Sequence, residues 1–212
     1  NQRALSNNSV VYTEKPDVSI FLKEWMALIV SRSGERGIFN RAAAKKQVEK
    51  LGDRRDASHN FGTNPCSEII LRDKEFCNLT EVVIREKDTP ETLKEKVRLA
   101  TILGTWQATL TNFRYLSKEW KNNCDEEALL GVSLTGIMDN KYTNGQAYNV
   151  ERGLPKLLNS LKLVTIETNK SVSKQLGINP SASIVGLLPS QNAGSCFVLS
   201  FPLSSFSPVL TE

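Results

Sequence analysis

The sequence predicts an α/β fold with the composition of a soluble globular protein. Short apolar stretches of strand character alternate with longer segments in which apolar residues recur at helical spacing. Of the 212 residues, 40% are hydrophobic and 24% are charged, so the chain can bury a core in one domain or in two small ones. We therefore expect strands and helices to alternate along the chain.

Two strand–helix pairs are predicted in the first fifty residues. Residues 9–12 form the first strand, and the next helix begins after Asp17 as its N-cap and ends near Gly34. Residues 37–40 form the second strand, and residues 41–51, rich in Ala and Lys, form the second helix. The charged stretch 53–56 is predicted to be a solvated loop, with phosphate binding as the alternative.

The remaining elements are predicted from the same two periodicities. Residues 76–79 and 82–84 have strand character. The triplet Thr89-Pro90-Glu91 is a strong helix start, and that helix is predicted to run to about residue 120. Three acidic residues at 125–127 open a helix predicted to reach residue 138, and residues 154–176 form a further amphipathic helix.

Charge and hydropathy exclude several functional classes. The net charge of +4 is compatible with an anionic ligand, but no basic block indicates binding to nucleic acid. No apolar run has the length of a membrane helix, and the N-terminus has no signal-peptide pattern, so we expect a cytoplasmic protein without a membrane partner. Because residue 1 is Asn, we expect the chain to begin inside a longer protein.

The cysteines do not follow the pattern of a metal site or of a disulfide scaffold. The chain has four cysteines, none in a Cys-x-x-Cys pair, and a single histidine, His59. We therefore predict no metal bound by protein side chains. Cys124 is predicted to be an ordinary cysteine beside a helix start.

One segment carries a constellation for chemistry on sulfur. Asn64, Cys66 and Glu68 alternate with Pro65 and Ser67, and residues i, i+2 and i+4 of an extended segment project to one side. These three side chains are therefore expected to converge on one bound molecule.

Two other interpretations of Cys66 remain open at this point. A loop cysteine is often only a small apolar residue. A thiolate nucleophile, as in a cysteine hydrolase, needs a basic partner, and His59, seven residues earlier, is poorly placed for that role. An amide, a thiol and a carboxylate suit a diol better, because amide and carboxylate hold hydroxyl groups while sulfur exchanges a hydrogen atom.

The segment resembles a known catalytic loop. Residues 64–69 (Asn-Pro-Cys-Ser-Glu-Ile) with residues 76–79 (Phe-Cys-Asn-Leu) resemble the active-site finger loop of ribonucleotide reductases, and the match is best with the monomeric, adenosylcobalamin-dependent ribonucleoside-triphosphate reductases of class II. Residues 33–41, and residues 99–115 followed by 130–136, resemble the same group. The resemblance implies that residues 1–188 are an incomplete part of a ten-stranded α/β barrel, with the finger loop and its flanking strands and helices.

The resemblance also implies a role for each site residue in reducing ribonucleotides to 2′-deoxyribonucleotides for DNA synthesis. Cys66 would carry a transient thiyl radical that takes the 3′-hydrogen of the ribose. Glu68 would be the general base on the 3′-hydroxyl, and Asn64 would hydrogen-bond the ribose hydroxyls. Cys77 would be one half of the dithiol that supplies electrons. Adenosylcobalamin would supply the radical chemistry.

The same resemblance implies the partners of the whole protein. These are a ribonucleoside triphosphate substrate, a thioredoxin-like reductant and, in a full-length protein, a deoxynucleotide effector. A fragment of a class I large subunit, driven by an iron protein, is the alternative within the family. The separation of eleven residues between Cys66 and Cys77 favours the cobalamin-dependent type.

The last part of the chain departs from the family pattern. The family's phosphate-binding Pro-Ser-Gly-Thr turn is expected near residue 189, where the chain has Pro189 and Ser190 followed by Gln191 and Asn192. Residues 189–212 are therefore predicted to be a divergent, irregular tail after a truncation or a shifted reading frame. With the partner of Cys77 also missing, we expect no turnover by this chain alone, and a non-catalytic remnant or interaction module is the other alternative.

Overall fold

A computed structural model describes residues 9–32, 36–50, 54–64, 69–144 and 153–187 of the chain. Within these residues seven strands alternate with five α-helices and one short 3-10 helix, which confirms the predicted mixture of helix and strand. The strands form three small sheets that do not close into a barrel within the described ranges. The ten-stranded barrel therefore stays a prediction.

The elements are numbered in chain order. The strands are β1 (Val10–Tyr12), β2 (Ile38–Asn40), β3 (Gly62–Thr63), β4 (Ile70–Leu71), β5 (Asn78–Val83), β6 (Leu130–Thr135) and β7 (Ile184–Leu187). The α-helices are α1 (Val18–Ser31), α2 (Arg41–Lys50), α3 (Pro90–Gln107), α4 (Lys118–Glu127) and α5 (Leu154–Leu176), and the 3-10 helix spans Ile137–Asp139.

The first strand–helix pairs form as the sequence predicts. β1 and β2 are parallel, with Val10 paired to Ile38, and α1 is the crossover between them. Asp17 caps α1, since its Oδ1 accepts a hydrogen bond from the backbone N–H of Ser19 at 2.8 Å. The helix ends at Arg32 in the left-handed conformation, and the predicted stop, Gly34, lies outside the described residues.

The largest sheet has three parallel strands in the order β5, β6, β7. α3 and α4 connect β5 to β6, and α5 connects β6 to β7. α3 packs against α5 and lies on β5 and β6, so the hydrophobic core forms between these helices and the sheet. The buried apolar residues of this core are Val82, Ile84, Leu93, Val97, Ala100, Leu130, Val132, Leu134, Leu157 and Leu161.

Two glycines allow close approach in this core. A Cβ atom on Gly104 of α3 would overlap Cδ1 of Leu130 in β6. Gly136 follows β6 with a φ of +72°, and a Cβ there would overlap the carbonyl oxygen of Ile84. Gly136 therefore requires the absence of a side chain, whereas a side chain at Gly104 would force Leu130 to move.

The predicted helix from Thr89 to residue 120 begins correctly but is too long. Thr89 forms a capping box with Thr92, and Pro90 is the first helical residue. The helix ends at Gln107, where Thr109 donates a hydrogen bond from Oγ1 to the carbonyl oxygen of Trp106 at 2.7 Å. A side chain that bonds to the last turn competes with the continuing helix, and α4 starts separately at Lys118.

The helix predicted from residue 125 to 138 is wrong. α4 ends at Glu127, Ala128 adopts a left-handed φ of 43°, and residues 130–135 form strand β6. In β6 the apolar residues Leu130, Val132 and Leu134 recur every second residue, which is the period of a strand and not of a helix. The helix predicted at 154–176 is confirmed as α5, ended by Gly177 with a φ of +67°.

Candidate functional site

The predicted catalytic segment lies in the loop of a short hairpin. β3 and β4 are antiparallel, with Gly62 paired to Leu71 and Thr63 paired to Ile70, so the loop between them runs from residue 64 to residue 69. Cys66 and Glu68, with their neighbours 65 and 67, lie outside the described residues. The structure describes both ends of the loop, and we call Thr63, Asn64, Ile69 and Ile70 the loop neck.

The side chain of Asn64 spans the loop neck. Its Oδ1 accepts a hydrogen bond from the backbone N–H of Ile69 at 3.0 Å and a longer one from the Thr63 hydroxyl at 3.4 Å. Ile69 itself is buried. Asn64 therefore ties the two ends of the loop together, and its amide NH2 is the group suited to donate to a ligand oxygen. The predicted bond to ribose hydroxyls stays a prediction.

Two arginines anchor the backbone beside the neck. Arg41, the first residue of α2, donates from Nε to the carbonyl oxygen of Phe61 at 2.6 Å. Arg55 donates from a terminal nitrogen to the carbonyl oxygen of Ile70 at 2.9 Å, and its guanidinium lies 4.9 Å from the centre of the Phe61 ring. Since the Phe61 side chain is fully buried, these contacts fix the neck against the interior.

A buried group of four charged side chains lies next to the neck, and we call it the ion cluster. Its members are Arg55, Arg72, Glu75 and Glu127, whose side chains are at most 8% exposed. Glu127 lies 2.7 Å from a terminal nitrogen of Arg55 and 3.3 Å from Nε of Arg72. Glu75 lies 3.7 Å from each guanidinium and accepts a 2.7 Å hydrogen bond from the backbone N–H of Arg72.

The two carboxyl groups of the ion cluster are not equivalent. Burial raises the pKa of Glu75 to about 8, and the neighbouring Glu127 carboxyl adds to this rise, whereas the Arg72 backbone N–H and Arg55 oppose it. Glu127 is the closer partner of both guanidiniums. The raised pKa keeps a proton on Glu75 at neutral pH.

Arg72 extends the ion cluster to the surface of α4. Its guanidinium donates to Glu126 Oε2 at 3.0 Å and to the carbonyl oxygen of Asn123 at 3.2 Å. It also lies 3.4 Å from Nε2 of His59. The only imidazole of the chain is thus engaged beside the ion cluster.

Cys77 immediately precedes β5 and is half-buried. Its Sγ makes a weak contact of 3.9 Å with the carbonyl oxygen of Asn78. The preceding residue, Phe76, stacks on Trp120 of α4 at 4.6 Å between ring centroids. Cys77 is therefore held beside α4, and the distance from its sulfur to Cys66 is not defined, because Cys66 lies outside the described residues.

Cys124 is a buried cysteine of α4. Its sulfur accepts a hydrogen bond from the backbone N–H of Phe76 at 3.4 Å, and burial raises the pKa of its thiol. This agrees with a packing role rather than a reactive one. Its location near the end of a helix, rather than at a helix start, corrects the sequence-based expectation.

Sequence reasoning missed the ion cluster. Residues 53–56 are predicted to form a solvated loop, but Arg55 is 6% exposed, so this prediction is wrong for that residue. The charges of Arg72 and Glu75 look like an ordinary polar turn, and Glu127 looks like a helix start. The one local signal is the spacing of three between Arg72 and Glu75 beside the apolar run of β4.

Two clefts among the described residues hold about 380 and 230 Å3 and are lined mainly by polar side chains. Pockets for drug-sized ligands span roughly 300–1000 Å3, and adenosylcobalamin is larger than such ligands. Within the described ranges no group of His, Cys, Asp or Glu side chains is arranged to hold a metal ion.

Two further predictions concern the tail and the membrane. Pro189 and Ser190, the predicted phosphate contacts, lie outside the described residues. Among the helices of the described ranges, none combines the length and apolar character needed to cross a bilayer.

Comparison with known proteins gives three relatives, each named adenosylcobalamin-dependent ribonucleoside-triphosphate reductase. The protein from Lactobacillus helveticus is 29% identical over 186 residues, which covers 76% of this chain and 24% of the relative. Those from Lacticaseibacillus paracasei and Lactobacillus acidophilus are 32% and 30% identical, over 65% and 61% of this chain and 18% and 20% of the relatives. No family model and no solved structure matches the sequence. The chain is thus similar, over most of its length, to reductases of which it spans a quarter or less.

Proposed function

We propose that this chain carries the catalytic loop of an adenosylcobalamin-dependent ribonucleoside-triphosphate reductase. The observation that carries the proposal is the hairpin loop 64–69, closed by Asn64 and followed by Cys77 beside α4, in a sequence similar to three such reductases. Similarity to these three reductases supports the family, although the chain spans only 18–24% of their length. The activity, substrate and partners of the whole protein belong to the proposal.

The proposed reaction replaces the 2′-hydroxyl of a ribonucleoside triphosphate by hydrogen. A thiyl radical on Cys66 removes the 3′-hydrogen, which is nearly balanced in energy because the S–H and activated C–H bonds are similar in strength. Glu68 takes the proton of the 3′-hydroxyl, the 2′-hydroxyl leaves as water with a proton from the dithiol, and the Asn64 amide NH2 donates to a ribose oxygen. The 3′-hydrogen returns from Cys66 at the end, which restores the thiyl radical.

Two electrons are needed for each deoxyribonucleotide formed. In the proposal Cys77 is one thiol of the dithiol that supplies them, so that a ribonucleotide and a dithiol give a deoxyribonucleotide, a disulfide and water. The second thiol lies in a part of the protein outside this chain. A thioredoxin-like dithiol protein reduces the disulfide again.

Dependence on adenosylcobalamin is supported by the names of the relatives alone. Neither of the two clefts given above has the volume for this cofactor, so none of the described residues is assigned to bind it. None of the described residues therefore has a proposed role in the chemistry of the cofactor.

The surface of α1 supports the proposal that more polypeptide surrounds this chain in the active protein. None of the α1 residues is buried, and large apolar side chains such as Phe21, Trp25 and Ile29 are exposed. Soluble proteins rarely expose contiguous apolar surface of this kind. We therefore expect the isolated 212-residue chain to be inactive, as the sequence also predicts.

A chimera tests the proposed function. Residues 9–187 of this chain replace the matching region of the Lactobacillus helveticus reductase, and deoxyribonucleotide formation is measured with adenosylcobalamin and a dithiol. We expect reduction by the chimera, loss of reduction in Cys66→Ser, and retention in Cys124→Ala, which removes a thiol outside the proposed chemistry. If a folded chimera that binds ribonucleotide forms no product, the chain is a non-catalytic remnant of the fold and the proposal is wrong.

A further inference from the structure

The ion cluster joins the loop neck to the end of α4. One terminal nitrogen of Arg55 contacts both the carbonyl oxygen of Ile70 in the neck and Glu127 Oε2 in the last turn of α4. Arg72, the residue after β4, contacts Glu126 and Glu127 of the same turn. Both arginines therefore connect the hairpin to the last turn of α4.

The end of α4 is itself fixed to the main sheet. Only Ala128 and Leu129 separate it from β6, and both are buried. The carbonyl oxygen of Leu129 accepts hydrogen bonds from the backbone N–H and the side-chain amide of Asn78, the first residue of β5. The ion cluster thus connects the hairpin to the sheet of β5, β6 and β7. The connection lies at the N-terminal end of β5, which Cys77 immediately precedes.

Stability alone is a poor explanation for this arrangement. Burying charges costs several kcal/mol per ion, and well-packed apolar residues of similar size often give equal or greater stability. Four buried polar atoms of the ion cluster, Nε of both arginines, Glu75 Oε1 and Glu127 Oε2, also have no hydrogen bond of good geometry among the described residues. Such a cluster is better explained by the specific position that it imposes.

We propose that the ion cluster is a set of positioning residues that holds the neck of the Cys66 loop in one place relative to α4 and Cys77. The inference rests on the proposed function of the loop, because a radical transfer requires reacting groups in a fixed geometry. The link depends on the negative charge next to both guanidiniums, on Glu127. Glu75 fills the space between the arginines as a neutral hydrogen-bonding group.

The charged groups around Glu127 come from three segments: the loop before β3, the turn after β4, and α4 itself. Arg55 faces it from the loop before β3, and Arg72 and Glu75 face it from the turn after β4. On its own helix the neighbouring acid, Glu126, has a side chain that is 64% exposed and a carboxylate that contacts the terminal nitrogens of Arg72. Three single glutamine variants therefore test three groups one at a time. Glu127→Gln removes the buried charge, Glu75→Gln replaces the buried neutral carboxyl, and Glu126→Gln removes the surface charge.

Amide hydrogen exchange of the full chain tests this assignment without any need for catalysis. In Glu127→Gln we expect exchange of the Ile69 amide to accelerate about tenfold or more, while the amides of Val132 and Leu134 in β6 stay within about twofold of wild type. Glu75→Gln, which mimics the protonated side chain, and Glu126→Gln are the matched controls, and we expect both to keep Ile69 protection within about twofold.

A double variant covers the case in which Glu127→Gln does not fold. Arg55→Met with Glu127→Met replaces the buried ion pair by apolar side chains, which a folded domain tolerates. We expect this variant to keep the exchange protection of β6 and to lose that of Ile69. Wild-type protection of Ile69 in the double variant, or an equal loss in Ile69 and β6, would overturn the proposal.

The chimera adds a kinetic readout that general destabilisation does not produce. With Glu127→Gln we expect kcat to fall about tenfold or more and KM for the ribonucleotide to stay within about twofold, because only the geometry of reacting groups changes. Glu75→Gln is expected to keep kcat. If the wild-type chimera is inactive, the proposed function fails, whereas the exchange experiment still decides whether the cluster positions the loop neck.

Discussion

The guanidinium of Arg55 lies 2.7 Å from the carboxylate of Glu127, and each of these side chains is only 2% exposed. The pair joins the loop before β3 to the last residue of α4. Arg55→Met takes the nearer cation from the buried Glu127 carboxylate and leaves it with Arg72 at 3.3 Å, so we expect this variant to lower the free energy of unfolding by about 1–3 kcal/mol. Urea unfolding of the 212-residue chain measures this change.

The control for this prediction is an acid on the surface of the same helix turn. Glu126 is 64% exposed, and exposed ion pairs contribute about 0–1 kcal/mol, so Glu126→Gln is expected to change the free energy of unfolding by no more than that. A loss in Arg55→Met no larger than in Glu126→Gln would show that the buried pair does not form.

The raised pKa of Glu75 predicts that the free energy of unfolding decreases as the pH rises from about 4.5 to about 8. Burial raises its pKa to about 8 in the folded chain, from 4.5 for an unperturbed side chain. Between these values the folded state holds one proton more than the unfolded state. The stabilisation from this proton is complete below about pH 4.5 and is lost as the pH rises through about 8, by at most about 1.4 kcal/mol per pH unit.

Glu75→Gln isolates this contribution. The variant has no titrating group at this position, so the free energy of unfolding of the wild type should fall relative to that of Glu75→Gln as the pH rises. Urea unfolding of both proteins from about pH 5 to pH 8 measures the difference. Parallel pH profiles of the two proteins in this range would contradict the raised pKa.

Two glycines with similar backbone angles provide a matched test of close packing. Gly136 and Gly177 have φ values of +72° and +67°, but a Cβ at Gly136 would overlap the carbonyl oxygen of Ile84, whereas none of the described atoms lies within 4 Å of a Cβ at Gly177. We expect Gly177→Ala to cost about 1–2 kcal/mol from the left-handed conformation. Gly136→Ala should cost about 1–3 kcal/mol more from overpacking.

Thermal unfolding of the two alanine variants measures this difference. Because both substitutions carry the same backbone strain, their difference reports the contact with Ile84 alone. Equal losses in the two variants would mean that only the positive φ of Gly136 matters and that its Cβ position is not close to Ile84.

The sequence predicts helices best where local signals and tertiary structure agree. α5 matches the predicted bounds, since apolar periodicity continues to Leu176 and Gly177 ends the helix. β6 is predicted as a helix because Leu130 and Leu134 also have the spacing of four that a helix shows, although Leu130, Val132 and Leu134 alternate as in a strand. Strand pairing with Asn78–Val83, which no local pattern reveals, decides its conformation.

The candidate site is predicted from sequence only in part. The motif around Asn64 and Cys77 is visible because its residue types are chemically unusual together, and β3 and β4 place it in a hairpin loop. The ion cluster is invisible, because Arg55, Arg72 and Glu127 meet only after α4 has docked on the hairpin. Charged residues are usually exposed, so a single sequence gives no reason to expect their burial.

The two cysteines of the proposed site should differ in their effects on the chimera. Cys66→Ser removes the group proposed to carry the radical, so we expect neither radical formation nor product. Cys77→Ser removes one electron donor of the dithiol, so radical formation is spared, while repeated turnover with a thioredoxin-like reductant is lost. Electron paramagnetic resonance and product counting per enzyme molecule measure the two effects separately.

This contrast identifies the loop more sharply than loss of activity alone, because a misfolded chimera would lose both signals in both variants. Cys124→Ala is the matched control, since the Cys124 thiol is buried in α4 with the Phe76 backbone N–H as its partner. Activity that survives in Cys66→Ser would exclude the proposed role of the loop. Sustained turnover in Cys77→Ser with the protein reductant would not affect the role proposed for Cys66. It would show that a thiol other than Cys77 supplies the electrons.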